Sequence, residues 1–180
     1  MKGFSRWGAP LLAVGLALAL AVWLGVTRTA GDFPVVAATL RPGEQATLGP
    51  ARVALESFVV VDALPDGSGG TLAAGPGETF VAVTIRWSVA EAGTDPATLD
   101  CRPLLLVADA EYRTRLRVSH LEAAQQTCRA VADAPSPGDQ GKQVVWHWQV
   151  PAAPVGSPPG PDVAVRLGVD GVGEALVLRP

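Results

Sequence analysis

The sequence predicts an all-β fold: an antiparallel β-sandwich of about seven strands, behind one N-terminal transmembrane helix. Three observations predict it. Residues Trp7 to Val26, "WGAPLLAVGLALALAVWLGV", form 20 consecutive positions without a charge. Beyond them, turn-forming clusters such as "DGSGG" and "DGVG" recur at strand-like intervals. Between the turns, apolar residues alternate with period two, most clearly in "TFVAVTIRWSV" (79 to 89).

The first element is the apolar run. At about 1.5 Å rise per residue it spans a hydrocarbon core of roughly 30 Å. Lys2 and Arg6 precede it and Arg28 follows it. That weak bias points to a cytoplasmic N-terminus and an exported C-terminus. Trp7 and Trp23 sit near its ends, where indoles favour the membrane interface. A cleaved signal peptide is the rival reading. Its apolar region is shorter, about 7–15 residues, and ends in a small-x-small site. Arg28-Thr29-Ala30 offers a poor −3 residue, and "VAA" at 36 to 38 lies far downstream. No cysteine stands directly after the run, so no lipoprotein acylation site exists there. Length favours an uncleaved signal anchor over 7–26, with 1–6 cytoplasmic, in the plasma membrane as a single pass.

Residues 27–43 read as an extracytoplasmic linker, because Pro34 and Pro42 discourage helix. The domain then spans 44–180. "ARVALESFVVVDAL" (51 to 64) is apolar and β-branched. In "TFVAVTIRWSV", Val81, Val83, Ile85, Trp87 and Val89 share one face and Arg86 stands on the other, so the strand is half-buried. "PLLLVAD" (103 to 109) and "EYRTRLRV" (111 to 118) follow. Residues 119 to 142 are less regular. "QVVWHWQV" (143 to 150) is a strand, and "DVAVRLGV" with "EALVLRP" form a closing hairpin around "DGVG". A domain of this size and rhythm is Ig-like.

Cys101 and Cys128 are the only cysteines, and both follow the anchor. In an exported domain such a pair predicts a disulfide, worth about 3 kcal/mol in the chain-entropy picture. A metal pair is disfavoured, since no Cys-x-x-Cys or paired His stands nearby. Beyond Arg28, seventeen acidic residues face eleven basic ones, a net of −6. That charge excludes a nucleic-acid partner and broad adhesion to anionic lipid.

"TFVAVTIRWSVAEAGTDPATL", "LLLVADAEYR" and "VVWHWQVP" together resemble a bacterial family of exported telokin-like, immunoglobulin-type domains of unknown function. Asp109 and Tyr112 match parts of that family's "L-v-D-x-x-G-x-x-Y" hairpin, with Ala110 and Glu111 where a glycine is usual. Trp148, Val150 and Pro151 match its late "v-F-x-V-P" strand, with Trp for Phe. The resemblance covers about residues 46 to 179. It implies an Ig-like sandwich exported by a lipoprotein signal or a membrane anchor. It implies no reaction, cofactor or catalytic residue.

"VVWHWQVP" is the obvious place to look for a site. Trp146 and Trp148 lie two apart, so a strand points both to one face with Val144 and Val150, as core. His147 then points outward, which predicts a solvent-facing side chain. His120 lies in the irregular segment and is given no role. No Gly-x-Ser-x-Gly elbow, His-Glu-x-x-His or Asp-rich calcium loop occurs. No catalytic, cofactor-binding or metal-ligating residue is therefore assigned. Arg113, Arg115 and Arg117 alternate into a basic stripe. It reads as a solvated or edge strand, or as a contact for an acidic partner. The expected function is recognition or assembly in the bacterial cell envelope, without catalysis, with an envelope protein or acidic polymer as partner and no cofactor. The rivals are an enzyme or enzyme-accessory domain acting on envelope polymers, and a carrier of a small apolar ligand.

Overall fold

A computed structural model describes residues 35–66, 69–91, 94–95, 99–113, 126–128, 141–156 and 159–180. The chain divides into two units, Met1–Val35 and Val36–Pro180. The predicted anchor at 7–26 lies outside the described residues. Among those described, no helix is long and apolar enough to cross a membrane.

The second unit is all-β. Its strands in chain order are β1 (Val35–Leu40), β2 (Gln45–Leu48), β3 (Ala51–Val61), β4 (Ala63–Pro65), β5 (Thr71–Ala73) and β6 (Glu78–Val89). They continue with β7 (Cys101–Val107), β8 (Ala110–Tyr112), β9 (Lys142–Pro151), β10 (Val163–Val169) and β11 (Glu174–Leu178). A single helical turn, α1 (Ala152–Val155), follows β9. One sheet has the order β1-β11-β10-β7-β8 and the other β2-β3-β6-β9, while β4 and β5 make a separate ribbon.

Alternation explains both sheets. On β6, Val81, Val83, Ile85 and Trp87 are buried in the main core, and the cross-strand register sets them beside Trp148, Trp146, Val144 and Lys142 of β9. On the other sheet, Val163, Val165 and Leu167 of β10 pair with Val107, Leu105 and Pro103 of β7. The apolar faces of both sheets form one continuous cluster. Two layers burying one core is the way half-apolar sheets shed their exposed faces. A second, small core lies on the other face of β6. There Phe80 and Ala82 pack with Leu64 of the β4–β5 ribbon.

Two expectations change. The supposed linker at 27–43 contains β1, a strand of the five-stranded sheet, so the domain begins earlier than residue 44. Proline excludes helix interiors, but at the ends of an edge strand it is tolerated. Pro34 and Pro42 flank β1 and do not interrupt it. The strand expected over 111–118 is described only as Ala110–Tyr112, and 114–120 lies outside the described residues. The closing hairpin forms as expected, with Gly171 at a φ of 79° in its turn. The β7–β8 turn is less comfortable. Ala108 adopts a φ of 50°, a left-handed conformation that a glycine would hold without strain, whereas Ala110 and Glu111, where the family's glycine is usual, lie in β8.

Candidate functional site

The two cysteines do meet. Cys101, the first residue of β7, is bonded to Cys128 with a Cα–Cα distance of 5.5 Å. Both are buried in the main core. The bridge therefore fastens residues 126–128 to the start of a central strand. It is a staple buried away from solvent, in the environment of an inert disulfide.

The aromatic stretch on β9 splits as period two requires. Trp146 and Trp148 point into the core, with ring centroids 6.4 Å apart and planes at 61°, an edge-to-face pair. They leave no accessible aromatic platform. The indole N–H groups of Trp87, Trp146 and Trp148 are buried, and none has an acceptor. His147 points to the other face, as expected, but it is not solvent-facing. It is only 7% exposed. It pairs across the sheet with Ala82, which belongs to the small second core. The outer face at that point is covered, so the outward direction of the side chain does not bring it into water. His120 lies outside the described residues.

The basic stripe is described at one position. Arg113, just past the end of β8, is exposed and lies 3.4 Å from the Glu111 carboxylate, so its charge is partly answered by a residue two positions back. Arg115 and Arg117 lie outside the described residues.

Sequence reading missed a polar cluster on the outer face of the four-stranded sheet. The register between β3 and β6 slips between Leu55 and Ser57, leaving Glu56 as the extra residue of a bulge. Arg86 Nε donates to Glu56 Oε1 at 2.7 Å, and Gln143 Nε2 donates to Glu56 Oε2 at 2.8 Å. The hydrogen bond from Gln143, then that from Arg86, holds the Glu56 carboxyl below its usual range, against a smaller opposing effect of burial. Residues from β3, β6 and β9 are thus tied across three strands. A bulge changes the phase of the side chains, and that phase change leaves no mark in residue types. Nearby, Lys142 is held below the usual ammonium range by desolvation.

Chemically, this cluster is a carboxylate held ionised by its donors. A group held so is suited to structure and poorly suited to general acid work near neutral pH. Among the described residues, no three His, Cys, Asp or Glu side chains come together as a metal site. Comparison with family models, curated proteins and solved structures returns no match for this chain.

Proposed function

We propose that this protein is a single-pass membrane protein whose Ig-like domain faces the outside of the plasma membrane and serves recognition or assembly in the cell envelope, without catalysis. The observation that carries the reading is the Cys101–Cys128 bridge in a β-domain that follows a 20-residue charge-free run. A buried structural disulfide suits an oxidising, exported compartment. The charge-free run suits a membrane span.

The strand order supports the Ig-like part. In that fold, strands A, B and E share one sheet and C, F and G the other. Here β3-β6-β9 would take the places of A, B and E, and β8-β7-β10-β11 those of C′, C, F and G. The chain crosses between sheets from β6 to β7 and from β9 to β10, as B–C and E–F connections do. Most residues between β8 and β9 lie outside the described residues. The bridge departs from the Ig pattern, because it does not join the B and F positions. The resemblance to exported telokin-like domains points the same way.

Topology tests the reading directly. The full chain, tagged at its C-terminus, is expressed in a bacterium, and spheroplasts are treated with protease. The tag should be digested from outside, and the intact protein should stay with membranes at alkaline pH. A tag protected in intact spheroplasts, or a chain released into the soluble fraction, would overturn the assignment.

A further inference from the structure

The five-stranded sheet ends on β1, which pairs with β11 on one side and, among the described residues, with no strand on the other. Natural edge strands are blunted by charges, prolines or bulges, because their free backbone groups can pair with another chain. β1, VVAATL, contains no charge and no proline. Its side chains are also bare. Val35 is 70% exposed and Val36 49%, the two most exposed of the large hydrophobic residues described. Ala38 packs against the main core and Leu40 is buried, so Val36 shares the inward face and Val35 the outward one. A partner lying on either face of the sheet would cover one of the two valines. A strand added at the edge covers both, because it sets a side chain beside each.

The direction of β1 fixes which backbone groups are free. The Arg179 N–H donates to the Leu40 carbonyl at 2.9 Å, just past the end of β11 at Leu178. β1 therefore runs parallel to β11, since an antiparallel β1 meeting Arg179 at Leu40 would lead away from β11. The polar groups of Leu40 face β11, and alternation turns those of Ala38 and Val36 the same way. The N–H and C=O groups of Val35, Ala37 and Thr39 then point to the open edge. Among the described residues, no backbone bond outside the sheet's own ladders reaches them.

We propose that β1 pairs edge to edge with β1 of a second copy of this chain, antiparallel, about a two-fold axis at Ala37. Cross-strand partners must share a face, so the axis passes through a residue and not between two. At Ala37 it sets Val35 beside Thr39 of the other copy, Val36 beside Ala38, and Ala37 beside itself. Every edge-facing group then finds a partner, with about six backbone bonds exchanged in all. An axis at Val36 leaves Thr39 without a partner in β1, and one at Ala38 leaves Val35 without one. An identical strand thus answers the free edge completely, and having no charge it brings no repulsion of its own. Pro34 and Pro42 flank the strand, so the ladder stops there and the contact closes as a dimer. A ribbon of this length, about 17 Å by a sheet thickness near 10 Å, buries on the order of 400 Å² in total. That falls below the roughly 1,000 Å² of a stable interface, so the dimer is weak and transient. The pairing needs neither the anchor nor export, so the protease experiment and the one below can fail separately.

Disulfide trapping suits a weak contact, because each encounter in register is captured. The full chain is purified and mildly oxidised, and the linked dimer is read on non-reducing gels. Ala37→Cys sets two thiols on the axis with Cα atoms about 5.5 Å apart, within reach of a disulfide. Thr39→Cys, exposed on the same face, sets them about 14 Å apart, out of reach. Ala37→Cys should therefore link to itself at least about tenfold faster than Thr39→Cys. A mixture of Val35→Cys and Thr39→Cys should give the mixed dimer in preference to either self-linked one. Ala37→Pro, placed in both partners, removes an edge-facing N–H and spares the bonds to β11, and should slow that mixed linkage at least about fivefold. The native cysteines are buried and bonded to each other, so they do not compete. Should Ala37→Pro fail to fold by circular dichroism, the register comparison decides alone. Ala37→Cys linking no faster than Thr39→Cys would overturn the proposal. So would mixed linkage indifferent to Ala37→Pro, or a thiol at position 37 that in whole cells links only to a different protein, which assigns the edge to a foreign strand.

Discussion

Trp148 gives the sharpest test of how the core is held. Its side chain is fully buried between the sheets, in edge-to-face contact with Trp146, and its indole N–H has no acceptor. Truncation to alanine removes a large ring from a packed interior and should cost about 3–5 kcal/mol. Phenylalanine separates the two roles of the indole. It removes roughly 50 Å² of buried ring, which at about 25 cal/mol per Å² costs on the order of 1 kcal/mol. It also removes a buried donor that water would otherwise satisfy, which returns about 1–3 kcal/mol. The edge-to-face contact survives, since Phe offers both an edge and a face. Trp148→Phe should therefore lie within about 1 kcal/mol of the unaltered protein, far from Trp148→Ala. Urea unfolding followed by far-UV circular dichroism reads the difference as a shift in midpoint at constant slope. A Phe variant destabilised by more than about 2.5 kcal/mol would show that the N–H has a partner and that the reasoning is wrong.

Three further outcomes are expected. Replacing both Cys101 and Cys128 by Ser should lower stability by about 3 kcal/mol, and reductant should then no longer shift the unfolding midpoint. Ala108→Gly should raise stability by about 0.5–1 kcal/mol by relieving the positive φ, and an unchanged or lower melting temperature would contradict that account of the turn. The Glu56 pKa is lowered in the folded state, so its contribution is present above the ordinary value of 4.5 and is lost as pH falls through the lower folded value. Because Arg86 is 43% exposed, that contribution should stay well below about 1 kcal/mol. Glu56→Gln should flatten this part of the acid limb in a pH series of thermal melts, and an unchanged acid limb would refute it.

The strands were legible because one rule governs them. Period two predicted which residues of β6 and β9 face the core, and it separated His147 from its tryptophan neighbours correctly. It failed on the surroundings of His147. Side-chain direction is a local property, but exposure depends on what lies over the face. The second core, built by Phe80, Ala82 and Leu64, joins residues 16 to 18 positions apart and has no periodic mark of its own. The same limit hid the Glu56 cluster, which needs a one-residue bulge to set Glu56 beside Arg86 and Gln143. β1 was missed for another reason. Its flanking prolines argue only against helix, and VVAATL, small or β-branched in five of its six residues, fits an edge strand as well as a linker.

The polar residues of this domain divide by the work that each face leaves them. On the four-stranded sheet, Glu56, Arg86 and Gln143 answer one another across β3, β6 and β9, and Gln149 donates to Glu78 at 2.5 Å on the same face. These four donors and acceptors close on one another together with Glu78. On the five-stranded sheet the pairs sit at the margins: Arg102 meets Asp170 and Arg113 meets Glu111, while Arg166 lies among aliphatic neighbours.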